Sequence, residues 1–84
     1  MITMEEVFAQ IHGITTELKD DSTIPKNVIS KLEVIEKIFS ENDDDVHIKI
    51  DKALQILEEM VEDTNLQPFI RTRLWNISSL LESI

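Results

Sequence analysis

Apolar residues recur at three- and four-residue spacing in four separate stretches of this chain, and a polar break closes each of the first three. That period marks a helix with one buried side, because residues three and four apart stack on the same face. Met4, Val7, Phe8, Ile11, Ile14 and Leu18 form the first stripe, which predicts a helix from Thr3 to Lys19. The polar run Asp20-Asp21-Ser22-Thr23 ends it, and Pro25 stands where a second helix can begin. The first-turn N–H that proline lacks would have no intrahelical partner there anyway. Val28, Leu32, Ile35 and Phe39, flanked by Ile29 and Ile38, make the second stripe. Asn42-Asp43-Asp44-Asp45 follows and supplies oxygens to cap a third helix carrying Val46, Ile50, Ala53, Leu54, Leu57, Met60 and Val61. After Asp63-Thr64-Asn65 and a restart at Pro68, the fourth stripe is Ile70, Leu74, Ile77, Leu81 and Ile84.

Four amphipathic helices joined by short turns predict an all-α fold, a four-helix up-and-down bundle. A chain of 84 residues has room for one core, so residues 1–84 are expected to be a single domain. Its halves match at an offset of about 42 residues, the mark of an internal repeat. Ile14 then falls on Ile56, Glu17 on Glu59, Leu18 on Met60 and Asp21 on Asp63. Beyond the turn, Ile24 falls on Leu66, Lys31 on Arg73, Leu32 on Leu74, Ile35 on Ile77 and Phe39 on Leu81. The chain therefore reads as two tandem helix hairpins, 3–41 and 45–83. One hairpin cannot bury its own stripe, so two copies packed face to face are the least that makes a core. A domain this small buries only about 60–65% of its unfolded surface, which makes a homo-oligomer an expectation to test.

These residues carry a resemblance. The segment from Ile56 to Trp75, with Leu57-Glu58-Glu59, Asp63-x-Asn65-Leu66 and Arg71-Thr72-x-Leu74-Trp75, resembles uncharacterised protein family 0147. Asp21-x-Thr23-Ile24-Pro25-Lys26-Asn27 is similar to that family's earlier turn, and the likeness covers essentially the whole chain. It implies a small archaeal protein, a helical bundle of four helices and no assigned activity. The second turn departs from the pattern, since Gln67-Pro68 stands for a proline expected one position earlier, and this leaves the start of helix four open by one residue.

Composition narrows the chemistry. Eight Lys and Arg against seventeen Asp and Glu give a net charge of −9, which repels phosphates unless basic residues gather on one face, so nucleic acid is disfavoured as a partner. With no Cys there is no disulfide, thiolate nucleophile or Cys-ligated zinc. Met1 to Gln10 is acidic and has no long apolar run, so neither a signal peptide nor a membrane span is expected and a cytoplasmic location is. Di-metal bundles need Glu-x-x-His pairs facing inward, and none occurs. Glu33-x-x-Glu36 and Glu59-x-x-Glu62 fall away from the stripes and read as solvated faces. His12 and His47 lie on different helices, too few for a zinc site. An EF-hand counted from Asp43 would need glycine at Ile48 and an acid at Leu54, so helix capping explains the acidic run better. No serine has a histidine and a carboxylate placed beside it, and the solitary Gly13 excludes a phosphate-cradling loop. No catalytic residue, metal or cofactor is predicted.

Two surface features remain. No acid occurs from Ser22 to Leu32 or from Thr64 to Leu81, stretches that hold Lys26, Lys31, Arg71 and Arg73 near two helix N-termini. Helix dipoles favour anions there, so Lys26, Lys31 and Arg73 are candidates for binding an anion or an acidic partner. Trp75 lies well off its stripe, on the side of Arg71 and Ser78, and either folds over the rim of the bundle or anchors an interface. Trp75, Arg71 and the off-stripe Ile48 are accordingly the candidate partner or oligomer interface. The expected function is a non-catalytic helical interaction or assembly module with an unknown protein partner. The alternative is a nucleic-acid-associated accessory protein using the small basic end.

Overall fold

The structure, a computed structural model, describes residues 3–41 and 45–84. Four helices follow in order: α1 Met4–Asp20, α2 Lys26–Ser40, α3 Val46–Val61 and α4 Pro68–Glu82. The first helix of each hairpin, α1 and α3, carries a side-chain cap. Thr3 Oγ1 accepts from the Glu6 N–H at 3.2 Å ahead of α1, and Asp45 Oδ1 accepts from the His47 N–H at 2.8 Å ahead of α3. Each satisfies one of the unpaired first-turn amides. The capping expected of the acidic run thus resides in Asp45, while Asn42, Asp43 and Asp44 lie outside the described residues.

α2 and α4 start differently, without a side-chain cap, from turns that share their backbone hydrogen bonds. Asp21 Oδ1 accepts from the Thr23 N–H at 2.9 Å and Asp63 Oδ1 from the Asn65 N–H at 2.9 Å. The Ile24 N–H donates to the Asp21 carbonyl at 3.2 Å and the Leu66 N–H to the Asp63 carbonyl at 3.1 Å. Pro25 and Gln67 are the equivalent N-caps, and the Pro25 and Gln67 carbonyls accept from Val28 and from Ile70 at 3.1 Å each. Helix four therefore begins at Pro68, its proline moved from the cap to the first helical position, where it costs no hydrogen bond. In the first turn the Thr23 hydroxyl also donates to Asp21 Oδ1 at 2.6 Å. That bond, with the Thr23 N–H, holds the Asp21 carboxyl below its ordinary range, because both favour the charged form.

Each helix packs on two neighbours in ring order: α1 on α2 and α4, α3 on α2 and α4, with no diagonal packing among the described residues. The centre is filled by Val7, Leu32, Ile35, Leu57, Ile70, Leu74, Ile77 and Leu81, all essentially without exposure. Ile24 and Leu66, equivalent residues in the two turns, are buried as well and close one end of the core. The stripes are adjusted in detail. Ile14 and Phe39 are half-buried, Ile84 is exposed, and Thr15 in α1 and Lys49 in α3 are buried. Lys49 tolerates this because its long apolar stem can be covered independently of the ammonium. A Cβ at Gly13 would meet nothing within 4 Å, in keeping with an exposed position that no packing requires to be small.

Candidate functional site

Two edges of α4 are tied to its neighbours. On one, Arg73 Nη2 lies 3.1 Å from Glu17 Oε2 of α1. On the other, Arg71 Nε donates to the Val61 carbonyl at 3.2 Å and Nη2 to the Asp63 carbonyl at 3.0 Å. Arg71 thus satisfies the Val61 carbonyl at the C-terminus of α3, adds a second donor to the Asp63 carbonyl in the turn beyond it, and fixes the register of α4 on α3. Trp75 follows Arg71 by one turn on the same edge. The rim of the bundle leaves 55% of the Trp75 surface exposed.

The helix beside that edge is acidic. Asp51, Glu58 and Glu62 recur seven and four residues apart and so fall on one line of α3, all three exposed. Glu59 and Met60 line the seam with α2, which turns Glu58, one residue back, toward the α4 side. With Arg71 set against Val61 in antiparallel helices, Trp75 comes level with the turn of α3 that carries Glu58. Ile48 is 47% exposed but sits in the first turn of α3, about 15 Å along the axis from Glu58. It is not brought beside Trp75. Phe69 and Val34, also about half exposed, were not singled out by the sequence reading, although the same angular argument applied to them would have found both.

The predicted cations do not converge on an open anion site. Arg71 is half-buried against α3, and Arg73 is paired with Glu17. Lys31 lines a small cleft of about 70 Å³ with Asn27, Val28, Glu59, Met60, Asp63 and Leu66, so two carboxylates share its surroundings. Lys26 is exposed in the first turn of α2. The physical reason lies in the topology. An up-and-down bundle brings the N-termini of α2 and α4 to the same end as the C-termini of α1 and α3, whose acids and open carbonyls compete for the cations.

One feature escaped the sequence reading. Between α1 and α2 a shallow cleft of about 270 Å³ is lined by Phe8, Ile11, His12, Glu36, Phe39 and Ser40. The Phe8 and Phe39 rings pack with centroids 4.9 Å apart and planes tilted by 38°. Above them His12 Nδ1 lies 3.0 Å from Glu36 Oε2, and Lys19 Nζ 3.6 Å from Glu36 Oε1. Glu36 is therefore not part of a solvated face, as its spacing suggested. Its side chain is only 26% exposed, and Oε1 is out of contact with water and has an ion pair in place of a hydrogen bond. The signal was in the 42-residue offset: positions 12, 19 and 36 hold His, Lys and Glu where the second hairpin has Leu54, Val61 and Ser78. Ser40 donates its hydroxyl to the Lys37 carbonyl at 2.9 Å. Among the described residues no group of three or more His, Cys, Asp or Glu is placed to hold a metal, and no helix is long and apolar enough to cross a membrane.

The model of an uncharacterised protein family, UPF0147, matches residues 1–84 of this chain. Among curated proteins, a UPF0147 protein of the archaeon Archaeoglobus fulgidus is 37% identical over 82 residues, covering 96% of this chain and 87% of the relative. A UPF0147 protein of Methanosarcina mazei is 30% identical over 79 residues, covering 94% and 85%. Among solved structures, the crystal structure of a protein of unknown function, MMP1188, superposes with a TM-score of 0.89 over 100% of this chain and 96% of the other. At 24% identity that likeness speaks to the fold alone.

Proposed function

We propose that this chain, which belongs to the uncharacterised protein family UPF0147, is a non-catalytic helical module that binds another protein through the α3–α4 face around Trp75. One observation carries the reading: a tryptophan more than half exposed on a regular helix, beside an arginine that fixes the helix register. Burying such a ring in a complex recovers a large apolar area, and tryptophan is enriched among the residues that dominate association. Single exposed aliphatics such as Ile48 and Val34 need no such account.

Catalytic chemistry has little support. His12, which meets the Glu36 carboxylate, shares its cleft with Ser40, whose hydroxyl is turned to a backbone carbonyl. The nucleic-acid reading is less favoured than at first, since Arg71 and Arg73 are engaged with oxygens of their own chain. The test is chemical crosslinking in native extract with the wild-type chain and with Trp75→Ala. A discrete adduct formed by the wild type and lost in the variant is expected, and identical adducts from both would end the proposal.

A further inference from the structure

We infer that the α3–α4 face receives a basic segment of its partner, with an arginine or lysine side chain lying on the Trp75 indole and others meeting the acidic edge of α3. This rests on the reading of Trp75 as an interface residue and names the chemical class of what covers it. Three observations bear on the class. Trp75 presents its ring to solvent on the edge of α4 that faces α3. Asp51, Glu58 and Glu62 run along the adjoining side of α3, and among the described residues no ion pair engages them. Arg71, the cation nearest in register, has its Nε and Nη2 directed at the Val61 and Asp63 carbonyls.

An aromatic face next to unpaired carboxylates suits a guanidinium or ammonium. The ring quadrupole attracts the cation, and the carboxylates supply hydrogen bonds and charge. A second copy of this chain suits the face poorly. A twofold contact would set the same acidic edge against itself, on a molecule whose net charge is already −9. An acidic partner would meet the same repulsion.

The protein has one tryptophan, so its own emission reports the site. An arginine-rich amphipathic peptide titrated into the full chain should shift Trp75 emission saturably. A labelled form of that peptide, followed by anisotropy, should bind Trp75→Ala about tenfold more weakly. The Glu58→Gln, Glu62→Gln double variant should show a similar loss, and high salt should weaken binding further. Trp75→Ala keeps the net charge, so equal binding to it would mean general attraction only and would overturn the assignment. A glutamate-rich peptide binding as well as the basic one would overturn the class of partner. A doubling of solution mass that Trp75→Ala abolishes would replace the basic segment by a second copy, yet leave the interaction reading standing. If Trp75→Ala changed neither peptide affinity nor solution mass nor the crosslinked adduct, both inferences would fall.

Discussion

Arg73 and Glu17 meet at 3.1 Å across the α1–α4 seam, and the repeat offset carries them onto Lys31 and Glu59, which line the same cleft on the α2–α3 seam. Charges of opposite sign thus face each other at both of the seams that join the α1–α2 hairpin to the α3–α4 hairpin. The pair is largely exposed, so a double-mutant cycle in urea should give a coupling below about 1 kcal/mol that shrinks with salt. Arg73→Glu should destabilise, and adding Glu17→Arg should recover most of the loss.

Arg71 is a different kind of arginine. Its two hydrogen bonds close the end of α3 from a half-buried position, so Arg71→Ala should cost about 1–3 kcal/mol in chemical denaturation. Arg71→Lys should recover less than half, because one ammonium cannot reproduce a planar fork aimed at two carbonyls. Amide exchange in the residues around Val61 should quicken in both.

The Asp21 carboxyl should titrate below an ordinary aspartate when followed by carbon-detected NMR, because the Thr23 hydroxyl and N–H both bond its charged form. Its folded pKa lies below the unfolded one, so the interaction stabilises above the unfolded value and is lost as pH falls through the folded value. Thr23→Val removes the hydroxyl bond and keeps the N–H, and should move the titration part of the way back up.

At the head of α3, Asp45→Ala should cost about 1 kcal/mol, the usual effect of losing an N-cap acceptor. Asp45→Ser should keep most of the stability. An equal loss in both variants would point away from capping.

Leu57→Ala, at a position with no exposure, should cost about 2–5 kcal/mol. Against a total of about 5–15 kcal/mol for a typical domain, the thermal midpoint should fall visibly. Trp75→Ala should leave that midpoint close to the wild type, which would separate an interface residue from a core one.

Helix number, order and inward faces could be written from the spacing of residues such as Leu32, Ile35, Leu74 and Ile77, because a regular helix has one period and burial rewards matching it. The 42-residue offset also set Asp21 and Asp63 in register, and each accepts from the N–H two residues on. An angle on a wheel also placed Trp75 off the core. What a wheel lacks is the neighbouring helix. It could not show that Arg71 closes α3 or that Arg73 answers Glu17, nor that Glu36 gathers His12 and Lys19 above a pair of phenylalanines. Local periodicity decides which side of a helix is apolar, because that is a property of the single helix. Which charges meet depends on axial register and on helix ends brought together by packing, and these exist only once the four helices are assembled.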